Sequence, residues 1–166
     1  RNNKVNDYLH KASNKIVSVC QINDISKIVI GNVSKSINGI NISKRNNQNF
    51  VNISLGQLIS KIRYKAELHA IEVVVTDESY TSKTSFLDND LLPKSYNPEN
   101  KHEFSGKRVH RGLYKSKDGV LINADINGSY NILRKSNPEF SFSKLTEKVK
   151  EGIEGWLHPC LRLEVS

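Results

Sequence analysis

One short segment constrains this chain more than any other. Ile71-Glu72-Val73-Val74-Val75 is a β-branched run placed directly after a stretch with helical apolar spacing. Such a run fits a strand covered on both faces, the usual state of a central strand in an α/β sheet. The stretch before it, about 54–69, puts Leu55, Leu58, Ile59, Ile62 and Ala66 on one helical face, with Ser54 as the expected N-cap. The same pair of patterns occurs once earlier. Val5, Tyr8, Leu9, Ala12, Ile16, Val19 and Cys20 form one stripe over residues 4–20, and Ile28-Val29-Ile30, bounded by Gly31, reads as a buried strand.

The polar, Asn-rich interval 32–50 is expected to be loop. Residues 79–120 read as a long irregular insertion with Pro93, Pro98 and Gly106, and a basic hairpin is expected at 107–122. A third helix is expected from Ala124 to Lys135, followed by a weakly patterned tail, 136–166, that carries the apolar pair Trp156-Leu157. The order helix, strand, helix, strand, insertion, helix argues for an α/β domain over 1–135 with parallel neighbouring strands. Two strands do not make a stable open sheet. The chain also opens on Arg1 and contains no Met. Further strands are therefore expected upstream, and the 166 residues read as a piece of a longer protein.

Composition excludes several classes. No apolar run approaches the roughly 18–20 residues that span a bilayer, and no signal peptide is visible. Cys20 and Cys160 are far apart and no CxxC pair exists, which argues against a disulfide scaffold and against a zinc site. The balance of 25 Lys+Arg against 17 Asp+Glu, net +8, points to an anionic partner such as nucleic acid.

Two carboxylates stand where α/β domains place chemistry. Glu78 follows the central strand and projects from its carboxyl end, the edge at which such sheets bind ligands. Asp125 lies in the first turn of the third helix, flanked on its own face by Gly128, Ser129 and Ile132. Hard oxygen donors of this kind suit Mg²⁺, and two such ions clamp the attacking and leaving oxygens of a phosphodiester. On spacing alone, a Glu after a strand is usually a solvated loop carboxylate, and an Asp in a first helical turn usually complements the helix dipole. The segment 106–117 interleaves Lys107, Arg108, Arg111, Lys115 and Lys117 with Val109, Leu113 and Tyr114. Such a strip can follow a phosphate backbone while Tyr114 stacks or packs.

Specific strings narrow the reading. They are Asp7-Tyr8-Leu9-His10-Lys11-Ala12-Ser13, Tyr64-Lys65-Ala66-Glu67, Glu78-Ser79-Tyr80-Thr81-Ser82, Phe86-Leu87-Asp88-Asn89-Asp90, Arg111-Gly112-Leu113-Tyr114-Lys115 and Asn123-Ala124-Asp125-Ile126-Asn127. In this order they resemble the C-terminal, RuvC-like part of the insertion-sequence OrfB/TnpB family, transposon-encoded relatives of type V CRISPR nucleases. The resemblance implies an RNase H-like fold, here without its first strands. It also implies RNA-guided cleavage of DNA at a three-acid Mg²⁺ site that includes Glu78 and Asp125. The implied partners are DNA and a guide RNA, with no membrane, in the bacterial cytoplasm at the nucleoid. The third acid, an Asp of an opening strand, is absent from these residues, so the chain by itself is expected to be inactive. Many relatives carry a zinc ribbon between Tyr-Thr-Ser and Asn-Ala-Asp. This chain has Lys83-Thr84-Ser85 and no cysteine there, so 79–122 is expected to replace the ribbon without structural zinc. His69-Ala70 stands where the family often has Gly before the central strand. Two alternatives follow from the same resemblance: a nuclease-dead, RNA-guided repressor, or a truncated remnant of a mobile element.

Overall fold

A computed structural model describes residues 2–32, 42–97 and 99–145, with backbone alone for residues 2 and 42–53. The elements run α1 (Asn2–Ile22), β1 (Lys27–Asn32), α2 (Ile42–Glu67), β2 (Glu72–Asp77), β3 (Lys107–His110), β4 (Leu113–Lys115), β5 (Leu121–Asn123) and α3 (Ala124–Ser136). The result is a mixed α/β fold with two small sheets, β1-β2 and β3-β4-β5. The described residues divide into two compact units, one ending at Val75 and the other beginning at Thr76.

The first unit pairs α1 with α2 and β1 with β2. Its core joins Val17, Cys20, Ala66 and Ile71, with Ile28 and Val73 packed against them. The buried line of α1 is Leu9, Ser13, Val17 and Cys20, one helical face. This corrects the stripe read from the sequence: Tyr8 is 57% exposed, and the fully buried Ser13 takes a central place instead. Ser13 is tolerated there because its hydroxyl donates to the His10 carbonyl and accepts from Lys65.

α2 begins at Ile42, so residues 42–50 are helix rather than the expected loop, and Ser54 lies inside the helix instead of capping it. The reason is simple. No Pro or Gly interrupts 42–55, and each Asn costs a helix only a fraction of a kcal/mol. A helix nucleated on the apolar face at 55–66 therefore extends backward.

Both helices end in the same way. After α1, the Ile25 amide bonds the Cys20 carbonyl and the Asp24 amide bonds the Gln21 carbonyl, with Asp24 at φ +52°. After α2, Ile71 bonds Ala66 and Ala70 bonds Glu67, with Ala70 at φ +54°. Each is a Schellman cap with a non-glycine residue in the left-handed position.

The second unit has little periodic structure before its meander. The expected basic hairpin is a three-stranded antiparallel sheet, β3-β4-β5. Gly112 at φ +82° makes the β3–β4 turn, and its carbonyl accepts from the Ala124 amide at the start of α3. Asn123 caps α3, its side-chain oxygen accepting from the amides of Asp125 and Ile126. Phe86, Tyr114 and Ile122 are buried to 1% exposure or less. Phe86 stacks on Tyr130 at 4.6 Å and on Phe140 at 5.6 Å. Trp156-Leu157, Cys160 and the tail beyond residue 145 lie outside the described residues, as does 33–41. Among the described residues, no helix is long and apolar enough to cross a membrane.

Candidate active site and nucleic-acid interface

The carboxyl end of β2 carries two adjacent acids with different surroundings. Asp77 is the last residue of the strand. One of its oxygens accepts from the Ser79 amide at 2.9 Å and lies 3.5 Å from the Lys135 ammonium. Burial works against the Asp77 charge, but the Ser79 hydrogen bonds and Lys135 outweigh it and bring its pKa below the usual carboxylate range. Glu78 is half-buried, and burial together with the negative charge of Asp77 pushes its pKa up. Its backbone carbonyl accepts from the amide and hydroxyl of Thr81, which turns the chain sharply out of the strand.

Asp125 sits at the other end of the α3 lever. Its side chain is 89% exposed, and an Arg108 nitrogen approaches it at 4.0 Å. Through Asp77, the strand end is tied to Lys135 in the last turn of α3, whereas Asp125 occupies the first turn. Ten residues of helix rise about 15 Å. Within this unit, Asp77, the neighbour of Glu78, is thus bound at one end of the helix and Asp125 lies at the other. No group of three or more His, Cys, Asp or Glu side chains able to hold a metal occurs among the described residues.

The basic strip divides into surface and core. Lys107, Arg108, Arg111, Lys115 and Lys117 are exposed, and Lys107 pairs with Lys115, Arg108 with Tyr114, across β3 and β4. Tyr114 behaves differently. It is 1% exposed, its hydroxyl donates to the Lys83 carbonyl at 2.7 Å, and burial drives its pKa up to about 12. Of the two roles open to it, Tyr114 packs; its ring is not available for stacking on a base. Gly106 makes this packing possible, since a Cβ there would fall 2.5 Å from the Tyr114 ring and 2.7 Å from the Lys115 carbonyl oxygen.

The residues that hold the site together were not singled out by sequence reasoning. Asn127 and Asn131, one turn apart on α3, are fully buried. Asn127 accepts from the Phe86 amide at 3.0 Å and donates to the Thr84 carbonyl at 2.9 Å. Asn131 donates to the carbonyls of Thr81 and Thr84. The two amides thus do for the segment 81–86 what a neighbouring strand would do. A signal was available: Asn at i and i+4 on the inward face of a short helix is a costly choice unless backbone groups need partners. Lys135 is a second omission, with a side chain only 6% exposed and an ammonium that also donates to the carbonyls of Pro93 and Lys94.

Residues 56–132 match the family model described as Cas12f1-like, TNB domain, a little under half of the chain. No curated protein matches the chain. The matched segment spans Glu78, the whole basic meander and Asp125, and it supports kinship with the TnpB/Cas12f-like nucleases.

Proposed function

We propose that this chain is part of a transposon-encoded, RNA-guided DNA endonuclease whose nuclease domain has an RNase H-like fold. The observation that carries the reading is the family match, because one continuous matched segment contains both candidate carboxylates and the basic strip between them. In this reading Glu78 and Asp125 ligate Mg²⁺. A third carboxylate completes the site from outside the described residues, and the interval 79–122 works without structural zinc. The partners are a DNA target and a guide RNA, which places the protein at the bacterial nucleoid.

The residues present suit a hard cation. Asp77 is committed to Lys135 and Ser79, which leaves Glu78 a half-buried carboxylate short of positive charge. Asp125 is open to solvent and held only loosely by Arg108. Both supply oxygen donors of the kind Mg²⁺ prefers. When bound, the ions would polarise the phosphodiester and lower the pKa of the attacking water. The protein's own part is to fix Glu78 through the Thr81 turn and Asp125 through the Asn123 cap. The exposed Lys107, Arg108, Arg111, Lys115 and Lys117 would hold the strand by its phosphates.

The test uses the complete parent protein with its guide. Glu78→Gln and Asp125→Asn each abolish cleavage while guide binding survives. Undiminished cutting by either variant would remove that residue from the site. One observation favours a second reading, RNA-guided DNA binding without cleavage: Asp77, the neighbour of Glu78, is bound to the last turn of α3, whereas Asp125 lies in its first turn. A parent that binds its guided target and leaves it intact in Mg²⁺ would establish that alternative.

A further inference from the structure

α1 and α2 bring together a cluster that the nuclease reading does not use. The Lys61 ammonium lies 2.9 Å from His10 Nε2, and the Tyr64 hydroxyl lies 3.4 Å from His10 Nδ1. The Lys65 ammonium donates to the His10 carbonyl and to the Ser13 hydroxyl, each at 2.7 Å. An ammonium has no lone pair, so Nε2 must accept from Lys61, and the imidazole proton sits on Nδ1, facing Tyr64. His10 is therefore neutral here. Partial desolvation, Lys61 and Lys65 all hold its pKa below the usual imidazole range, against a smaller opposing effect of Asp7.

The two lysines lack a counter-charge. Among the described residues, no carboxylate forms an ion pair with Lys61 or Lys65, and Asp7, the acid that acts on His10, is paired with Lys11 at 3.3 Å. Lys65 is only 8% exposed, and burial with the Lys61 charge brings its pKa down. Like charges one turn apart on a helix repel, and a buried cation satisfied by neutral acceptors alone is costly. An anion would offset both effects. Space for one adjoins the cluster: an open groove of about 530 Å³ lined by Asn6, Gly56, Gln57, Ser60, Lys61 and Tyr64. Five of these six side chains carry hydrogen-bonding groups, and the sixth residue, Gly56, leaves space where a Cβ would meet nothing within 4 Å.

We propose that this groove is an anion site that takes a phosphodiester group of a nucleic-acid strand, with Lys61 as its charged donor. Tyr64, Gln57 and Asn6 supply neutral polar groups, whereas the Ser60 hydroxyl is already donated to the Gly56 carbonyl. His10 is the positioning residue that accepts from Lys61, and Lys65 binds the His10 carbonyl. The inference rests on the reading of the chain as a nucleic-acid-binding protein, but the site uses no residue of the β3–β4 strip. The groove is open to solvent rather than enclosed, which suits a group carried on a polymer.

The test is a salt titration of the 166-residue chain against a fluorescein-labelled oligothymidylate, read by anisotropy. Each lysine–phosphate contact contributes about 0.7 to the slope of log affinity against log salt for a single strand. Lys61→Gln should flatten the slope by about that amount and weaken binding several-fold at low salt. Tyr64→Phe should weaken binding two- to three-fold with the slope unchanged, and Lys15→Gln, an exposed lysine of α1, should change neither. An unchanged slope in a folded Lys61→Gln chain would overturn the proposal, as would no binding by the wild-type chain at low salt. Inorganic phosphate that protects the wild-type chain against heat but not Lys61→Gln, without displacing the oligonucleotide, would mark a free-phosphate site and overturn the nucleic-acid assignment. The outcome is separable from the nuclease reading. Loss of the Lys61 effect, with cleavage by the parent still dependent on Glu78 and Asp125, would remove this groove alone.

Discussion

The two units of this chain are stabilised in different ways. In the first, apolar faces of α1 and α2 cover Ile28, Ile71 and Val73, and the core is an aliphatic cluster with Cys20. In the second, side-chain amides and stacked rings organise long stretches of backbone that no ladder pairs. Asn127, Asn131 and Asp90 bind backbone groups of the segments 81–86 and 105. Phe86 lies against Tyr130, Phe140 and Phe142, while Tyr80 gathers Tyr96, His102 and Phe104. Apolar packing is non-directional and forgives substitution. A hydrogen bond to a buried backbone group is specific and expensive to remove. The second unit should therefore be the more fragile of the two.

The largest expected effect tests that contrast. Asn127→Leu keeps the volume of the side chain but leaves the buried Phe86 amide without a partner, at a cost of about 3 kcal/mol. Val17→Ala in the first unit removes two methyl groups from an aliphatic core and should cost about 2 kcal/mol. Urea unfolding of both variants measures the difference. A smaller loss for Asn127→Leu would show that the amide staples are replaceable and that the contrast is wrong. Next comes Gly106→Ala. The added methyl meets the buried Tyr114 ring and a backbone oxygen, neither of which has room to give, so about 2 kcal/mol should be lost.

The first unit offers a change of opposite sign. Ala70 holds the left-handed position of the cap after α2, a conformation that strains a residue with a Cβ. Ala70→Gly should relieve this and stabilise the chain by up to about 1 kcal/mol, the gain being reduced by the extra freedom of Gly in the unfolded chain. A rise in thermal midpoint of a few degrees would confirm it.

What was legible in the sequence follows the same division. Helical spacing placed α1 and α3 to within about two residues at each end, and the β-branched runs placed both strands of the first sheet. Those elements are periodic because one face is buried. The start of α2 was not legible, because residues 42–50 have no apolar stripe and are helical by continuation from 55–66. Fully buried Ser13 and the 8%-exposed Lys65 broke the pattern because they satisfy each other across α1 and α2. The insertion 79–105 gave turn signals and no more, since its order comes from Asn127 and Asn131, more than forty residues away. Glu78 and Asp125 were legible as positions, at a strand end and a helix start. Burial, and after it the charge of the neighbouring Asp77, raises the Glu78 pKa; Asp77 is itself bound to Lys135, and nothing in the local sequence indicates that bond.

The smallest effect is the most informative about the site. Glu78 and Asp77 are adjacent carboxylates with opposite responses to pH. Burial and the Asp77 charge raise the Glu78 pKa in the folded chain above its ordinary value of 4.5. The folded state thus holds the Glu78 proton more tightly than the unfolded state does. The stability this adds is fully present below pH 4.5 and is lost as pH rises through the raised pKa. Asp77 is lowered from 3.8, so its contribution is present above that value and disappears as pH falls through the lowered one. Glu78→Gln should therefore be slightly more stable than the wild type at pH 7, with the gap closing below pH 4.5. Asp77→Asn should be less stable at pH 7, because Lys135 is left buried without its partner. Added Mg²⁺ sharpens the comparison, since a cation on Glu78 offsets the charge that burial disfavours. Thermal melts should show Mg²⁺ stabilising the wild type at pH 7 and leaving Glu78→Gln unmoved. Equal stabilisation of both by Mg²⁺ would place the ion elsewhere, and a Glu78→Gln variant less stable at neutral pH would mean that the carboxylate is held by the fold rather than kept free for a ligand.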